Sequence, residues 1–370
     1  MTPPAEELAV DSIEASSYTV PTDAPEADGT FAWTDTTLVL VQVSGGGKVG
    51  TGWTYGSSAA VALVRETLAP LIAGRTFLDV EDAWRHQVAA LRNIGRPGIG
   101  SMAVSAIDCA LWDLAARRAE TPLHALLGAR RQTVPLYGSG GFTSYNRRQL
   151  AAQLDGWLDL GMARVKIKIG EDWGRRETRD LDRIRQTREL VGPDIEVFVD
   201  ANGAYSTVQA VRLTRALEDI GVTWFEEPVS SDDHAGLREV RHAFNGDVTA
   251  GEYGYSLAYF RHLINAEAVD CVQVDVTRCG GVTELLQIAA LAQQHGLSVS
   301  GHCAPYQHAA VLAAVPNLRH LEWFHDHVRI EQQLFDRTST VADGELHLDE
   351  NAPGNGLRWR ADAAEPYRVA

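Results

Sequence analysis

Val165-Lys-Ile-Lys-Ile-Gly170, Val197-Phe-Val-Asp-Ala-Asn-Gly203, Trp224-Phe-Glu-Glu-Pro228, Thr249-Ala-Gly-Glu252, Val272-Gln-Val-Asp275, Ser300-Gly-His302 and His320-Leu-Glu-Trp-Phe324 share one design. In each, an ionisable side chain stands at the end of an apolar run. From Lys168 through Asp200, Glu226, Glu252, Asp275 and His302 to Glu322 the gaps are 32, 26, 26, 23, 27 and 20 residues. That is the length of a strand, a helix and two short loops. Repeated, such a unit closes into a parallel barrel whose strand ends share one mouth. The charged residues would then meet there.

Working outward, Val134 to Tyr137 reads as the first of eight strands and His320 to Phe324 as the last. A helix is expected from Arg147 to Leu160 and another ending at Val191. Gly161, Gly192, Gly221 and Gly296 fall where helices must stop before the next strand, as left-handed terminating residues do. Upstream, the alternation around Thr36–Val43, the turn Ser44-Gly-Gly-Gly-Lys48 and Val49 to Tyr55 read as a β-hairpin. Helical patterns follow over Ser58 to about Ala73, Val80 to Leu91 and from Ser101, where Val104, Ile107, Leu111, Leu114 and Ala115 share a face and Ser101 is the expected N-cap. Residues 1–9 read as a loose tail. The expected organisation is an α+β domain over 1–128, completed by 342–370, and a β/α barrel over 129–341.

The 370 residues accommodate a barrel of roughly 200–250 residues plus a second domain. A net charge of −16 with no Lys/Arg-rich block argues against a nucleic-acid or anionic-membrane surface. Cys109, Cys271, Cys279 and Cys303 lack CxxC spacing, so the sequence supports neither a disulfide frame nor a thiolate zinc site. Without a basic leader or a long apolar run, a cytoplasmic protein is expected.

Alternation along a strand points Lys166 and Lys168 the same way, into the barrel. Two adjacent ammonium groups should lower each other's pKa, which suits a lysine to act as a base. Asp200, Glu226 and Glu252 end three consecutive strands; converging carboxylates call for a hard cation, and Mg²⁺ fits all-oxygen ligation. Glu226 or Glu227 could supply the middle ligand, and spacing does not decide between them. Asp275 and His302 fit a carboxylate–imidazole dyad that fixes the tautomer and frees one nitrogen as acid or base. Glu322 could donate a proton if its pKa is raised, or bond the substrate. Tyr55, Tyr137 and Asn202 are candidate substrate contacts. His325 and His327 follow Glu322, but no spacing supports zinc with His302 or His308. Two other classes deserve weight: a Schiff-base lysine enzyme, in which the acidic triad has no job, and a binding protein that kept the fold without catalysis.

Together Lys-x-Lys, Asp-Ala-Asn, Glu-Glu-Pro, Gly-Glu, Asp, His and Glu, with Ala106-Ile-Asp-Cys-Ala-Leu-Trp-Asp113 upstream, resemble the enolase superfamily and within it the mandelate racemase subgroup. The resemblance implies an α+β capping domain over a modified (β/α)7β TIM-like barrel. It implies Asp200, Glu226 and Glu252 as Mg²⁺ ligands, so that Glu226 rather than Glu227 binds. Lys168 becomes one base, with Lys166 lowering its pKa, and His302 with Asp275 the opposing base or acid. Glu322 would bond the substrate carboxylate as an enediolate forms; a Lys or His base with Mg²⁺ is the general pattern of this superfamily. The implied reaction is α-proton abstraction from a small carboxylate, with acid-sugar dehydration favoured over racemisation, epimerisation or lactone cycloisomerisation. Substrate choice would rest on the capping domain's loops around Pro21–Ala32 and Trp53–Tyr55, plus Gly138–Gly141 after the first barrel strand. A homo-oligomer is expected.

Overall fold

Period-two burial organises the N-terminal sheet. The computed structural model describes residues 7–370. Strand β1 (Leu8–Val10) is followed by β2 (Ser12–Ala27), β3 (Ala32–Gly45), β4 (Lys48–Tyr55) and β5 (Arg75–Phe77). Strands β2, β3 and β4 form an antiparallel sheet, so the expected hairpin gains a long third strand. Val39, Val41 and Val43 face the N-terminal domain's own helices, whereas Leu38, Leu40, Trp53 and Tyr55 join the barrel-side core. The β3 strand is therefore buried on both faces.

Three local expectations need correction. Leu8 and Val10 are buried, and β1 pairs with β5, so residues 7–9 are not loose; residues 1–6 lie outside the described residues. Pro21–Ala32 is not a loop throughout, because β2 continues to Ala27 past a register shift between Pro21 and Glu26. Prolines are tolerated there since β2 is an edge strand. The helix Ile99–Arg118 begins after Gly98, whose φ of 76° starts the turn, and Ser101 lies inside it with its Oγ donating to the Tyr255 carbonyl at 2.7 Å. That helix is long and apolar enough to cross a membrane by composition, yet 78% of its apolar window is buried within the protein. It lies tight on β4, where a Cβ at Gly50 would come within 2.1 Å of the Ala110 carbonyl oxygen and one at Gly52 within 2.3 Å of that of Ala106.

The barrel strands are β6 (Thr133–Gly140), β7 (Arg164–Lys168), β8 (Glu196–Asp200), β9 (Val222–Glu226), β10 (Asp247–Ala250), β11 (Cys271–Val274), β12 (Ser298–Gly301) and β13 (Leu318–Phe324). They pair in sequence order, all parallel, and β13 closes on β6 with Glu322 beside Tyr137. Each of the seven connections carries a helix, among them Arg147–Asp159, held by an Asn146–Gln149 capping box, and Glu177–Val191, which the short Glu171–Gly174 turn precedes; His325–Leu334 follows β13. All four helix-stopping glycines have positive φ. Outward residues Val165, Ile167, Val197, Val199 and Phe225 pack against these helices, leaving the alternate positions for the interior.

The C-terminal segment stitches the halves together. Strand β14 (Phe335–Arg337) pairs with β17 (Leu357–Trp359); β15 (Thr340–Ala342) pairs with β16 (Glu345–His347), which runs antiparallel to the start of β6. Ser17 of β2 exchanges backbone hydrogen bonds with Val369 and Ala370, each 2.9 Å. Buried polar contacts seal the seam. Trp53 N–H donates to Gln307 Oε1 at 2.9 Å, Gln307 Nε2 to the Trp53 carbonyl at 2.8 Å, and Thr54 Oγ1 to the Thr277 carbonyl at 2.8 Å. Trp53 Nε1 and Tyr55 OH both donate to Glu331 Oε1 at 3.1 Å.

Candidate active site

Strand register places the charged residues. Lys168 lies beside Asp200 and Asp200 beside Glu226, so three neighbouring strands end at one level. Glu252, Asp275 and His302 stand just past the ends of β10, β11 and β12. All of these, with Lys166 and Glu322, are at most 6% exposed. A cavity of about 280 Å³ opens above them, walled on one side by Asp28, Trp33, Thr36 and Tyr55 and on the other by Lys168, Asn202, Glu252, Arg278 and His302.

Asp200, Glu226 and Glu252 each offer an oxygen within 4.8 Å of the other two. Lys166 donates to Glu226, stands 2.7 Å from Glu322 Oε1 and 3.7 Å from Asp200 Oδ2; Lys168 donates to Asp200. Trp224 Nε1 fixes the other Glu226 oxygen at 3.0 Å. Glu227, whose φ is 39°, is buried with Oε1 unpartnered, and burial, then Glu252, holds its carboxyl well above the usual range.

The lysine electrostatics depart from the sequence-based expectation. Burial and then Lys166 pull the Lys168 ammonium down, but Asp200, Glu252 and Glu322 together outweigh them, so its pKa is raised. Lys166 is raised as well, against its burial, by Glu226 and Glu322. Lysine–lysine repulsion is real here; the surrounding carboxylates exceed it. Glu322 is likewise not a raised acid. Burial pushes it up, yet Lys166, His302 and Lys168 hold it well below the usual carboxylate range. It accepts from Ser139 Oγ at 2.6 Å and from the Cys303 N–H at 3.0 Å.

His302 Nδ1 lies 2.8 Å from Asp275 Oδ2, and Thr277 N–H holds the other Asp275 oxygen at 2.7 Å. Nε2 is left facing the cavity, 3.4 Å from Glu252 Oε2. Burial would lower the imidazole pKa, but Glu252 and Asp275 raise it.

The three expected substrate contacts separate. Tyr55 reaches the cavity, stacked on His327 with ring centroids 3.5 Å apart. Asn202 reaches it too, with its N–H bonded to Asp200 Oδ1 at 2.9 Å and its own Oδ1 unpartnered. Tyr137 does not line it. The ring is fully buried in the barrel interior, packed on Phe198 and His320 with Lys166 Nζ 5.3 Å from its centroid. Of the expected selectivity segments, Gly138–Gly141 lies off the cavity and Trp53 points into the seam.

Arg278 was not singled out by the sequence. Its Nε is 3.5 Å from Asp275 Oδ2, its Nη1 is 3.6 Å from Glu252 Oε1, and its guanidinium stacks over Tyr253. The Asp275-Val-Thr-Arg278 spacing, three residues apart past a strand end, is the signal that could have found it. Cys303 was passed over for want of a CxxC partner. Its Sγ stands 3.2 Å from His302 Nε2.

Comparison with known proteins agrees with this geometry. Residues 149–363 match the model of the enolase C-terminal domain-like family, and residues 14–128 that of the mandelate racemase / muconate lactonizing enzyme N-terminal domain. A mandelate racemase/muconate lactonizing enzyme-like protein from Rubrobacter xylanophilus superposes with a TM-score of 0.93 at 45% identity, covering 98% of this chain and 100% of that one. A racemase from Streptomyces coelicolor A3(2), solved with bound magnesium, gives 0.91 at 28% identity over 97% and 100% of the two chains. Arabinonate dehydratase of Saccharolobus solfataricus is 28% identical over 85% of each chain. With both halves matched and the lysines, acids and dyad gathered at one barrel mouth, the chain belongs to the enolase superfamily, in its mandelate racemase subgroup.

Proposed function

We propose that this site abstracts the α-proton of a small carboxylate in a Mg²⁺-dependent reaction, and that the favoured outcome is dehydration of an acid sugar. Racemisation or epimerisation of a 2-hydroxy acid, or lactone cycloisomerisation, is the alternative. The observation that carries the reading is the common cavity onto which Lys168 and His302 both open, with Asp200, Glu226 and Glu252 on three of the four strands between their own.

The acidic triad fits a hard divalent cation. Its donor set is all oxygen, and Glu252 Oε2 is buried with no hydrogen-bond partner. Asp200, Glu226 and Glu252 would hold Mg²⁺, which supplies electrostatic stabilisation of the charge developing on the substrate carboxylate. Once the triad's charge is met in that way, burial and then repulsion from Lys166 are left to act on Lys168, and both favour the neutral amine a base requires. Lys168 Nζ takes the α-proton. Glu322, held by Ser139 and Lys166, orients the carboxylate as it becomes an enediolate. His302 Nε2, with Asp275 on Nδ1, donates a proton to the departing β-hydroxyl; the C–O bond breaks, water leaves, and the enol that remains tautomerises to a keto acid. In the alternative, His302 returns a proton to the α-carbon.

Arabinonate dehydratase favours the dehydration branch by similarity, and the Streptomyces racemase keeps the other open. In this reading residues 1–128, completed by 342–370, form the selective cap and 129–341 the reacting barrel; the backbone bonds from Ser17 to Val369 and Ala370 support that division. Incubation with Mg²⁺ and a library of aldonic and aldaric acids in D₂O, followed by NMR, should reveal α-deuterium uptake or a keto acid. Absence of both with every member counts against the reading, and activity surviving Lys168→Ala combined with His302→Asn ends it.

A further inference from the structure

Cys303 has no part in the reaction above, yet its thiol faces the same cavity as His302. Consecutive residues of an extended chain would point to opposite sides. Here the chain turns left-handed past the end of β12, with φ of 51° at Cys303 and 37° at Ala304, and both side chains turn inward together. Glu322, at the end of the adjacent strand β13, completes a triangle. The Cys303 Sγ to His302 Nε2 distance is 3.2 Å, Cys303 Sγ to Glu322 Oε2 is 3.4 Å, and His302 Nε2 to Glu322 Oε2 is 3.8 Å. A tetrahedral zinc ion with bonds of ~2.0–2.3 Å sets its ligand atoms roughly 3.3–3.6 Å apart. The triangle matches that spacing to within a few tenths of an ångström.

We propose that His302 Nε2, Cys303 Sγ and Glu322 Oε2 form a second cation site, for zinc as the representative thiophilic divalent ion, separate from the Asp200–Glu226–Glu252 triad. One thiolate, one imidazole and one carboxylate select zinc over magnesium, which takes hard oxygen donors. Asp275 already bonds the remaining ring nitrogen, the carboxylate–imidazole arrangement that orients a zinc-bound histidine. Burial, then Glu322, holds the free thiol well above its usual pKa, so binding must expel its proton to solvent as the sulfur–metal bond forms. The ion takes the place of that proton, which now points from Sγ to Glu322 Oε2. The cavity that His302 and Cys303 line would admit water to a fourth position. Occupancy would tie up His302 Nε2 and silence proton transfer on that side; this consequence rests on the proposed function, whereas the binding does not.

The test uses the full chain in excess Mg²⁺, titrated first with Co²⁺ as an optical probe and then with Zn²⁺. A near-ultraviolet thiolate-to-cobalt charge-transfer band is expected, together with release of the thiol proton, and of the His302 Nε2 proton where the imidazole is charged, and stoichiometric loss of the band on adding Zn²⁺. Cys303→Ser and Cys303→Ala should each abolish the band and weaken Zn²⁺ binding by ~100-fold or more, beyond the ~10–100-fold that loss of an outer partner costs. Mg²⁺-dependent stabilisation of both variants shows that they are folded. The proposal is overturned by absence of the band in the wild type, by its survival in both Cys303 variants, or by its displacement with excess Mg²⁺, which would assign the ion to the acidic triad. Failure of every acid in the D₂O screen would leave the band unaffected, so the two readings fail separately.

Discussion

Replacing Asp275 with Asn removes one negative charge and almost no volume. Asp275 Oδ2 lies 2.8 Å from His302 Nδ1, with both groups buried. At an effective dielectric of ~20, Coulomb's law gives about 6 kcal/mol between the carboxylate and an imidazolium at that distance. The net worth of a charge-assisted hydrogen bond is smaller, ~1.5–3 kcal/mol. The asparagine carbonyl can still accept from Nδ1–H, so the smaller figure bounds the loss from below and the larger from above. At ~1.4 kcal/mol per factor of ten, turnover should fall between ~10-fold and ~10⁴-fold. Steady-state turnover and α-H/D exchange by NMR would measure it, with Mg²⁺ affinity as the control, since Asp275 lies outside the triad. A loss below about tenfold, the weaker bound, would refute the role given to the dyad. A parallel loss of Mg²⁺ affinity would assign the defect to structure instead.

Mg²⁺ at ~100 times its dissociation constant should stabilise the wild type by ~2.7 kcal/mol, and Asp200→Asn should abolish the corresponding rise in melting temperature. Asp108, buried where the Ile99–Arg118 helix meets Thr283, is pushed by burial up to about 7 from an ordinary 3.8. Because the folded value is the higher one, its contribution to stability is complete below ~3.8 and is lost as pH rises through ~7, by up to ~4 kcal/mol. Urea titrations across that window should show the wild type weakening with pH and Asp108→Asn lacking that component; equal slopes would exclude it. Glu331→Leu strips the acceptor from Trp53 Nε1, Tyr55 OH and the Tyr306 N–H. Three buried donors left unpaired should cost ~3 kcal/mol or more in chemical denaturation, whereas Tyr55→Phe, which removes a donor and orphans nothing, should cost ~1 kcal/mol.

The barrel was legible because its ionisable residues sit at the spacing of the repeat, and side-chain alternation sends Lys166 and Lys168 inward whatever the loops do. The same alternation misled at Tyr137. It gives the face of a strand but not which inward side chains reach the cavity, and Tyr137 packs on Phe198 and His320 instead. The whole of β2 went unread, and Pro21 and Pro25 fit within it only because it is an edge strand. Ser101 looked like a cap because glycines preceded it, and one of them, Gly98, begins the helix by its own positive φ. The lysine pair was judged by its mutual repulsion alone, before the distances to Asp200, Glu226 and Glu322 could be weighed. Cys303 escaped because metal-ligand searches look along the chain, whereas its partner Glu322 comes from the next strand.

The seam also has a consequence for how the chain is made. Trp53 meets Gln307 across 254 residues of sequence, and Trp53 Nε1 meets Glu331 across 278. At ~5–20 residues per second, the ribosome needs roughly 13–50 s to deliver Gln307 after Trp53 has been added. Throughout that interval Leu38, Leu40, Trp53 and Tyr55 have no barrel to cover them. The nascent sheet therefore waits with one greasy face bare, and its safe arrival depends on chaperones or on speed.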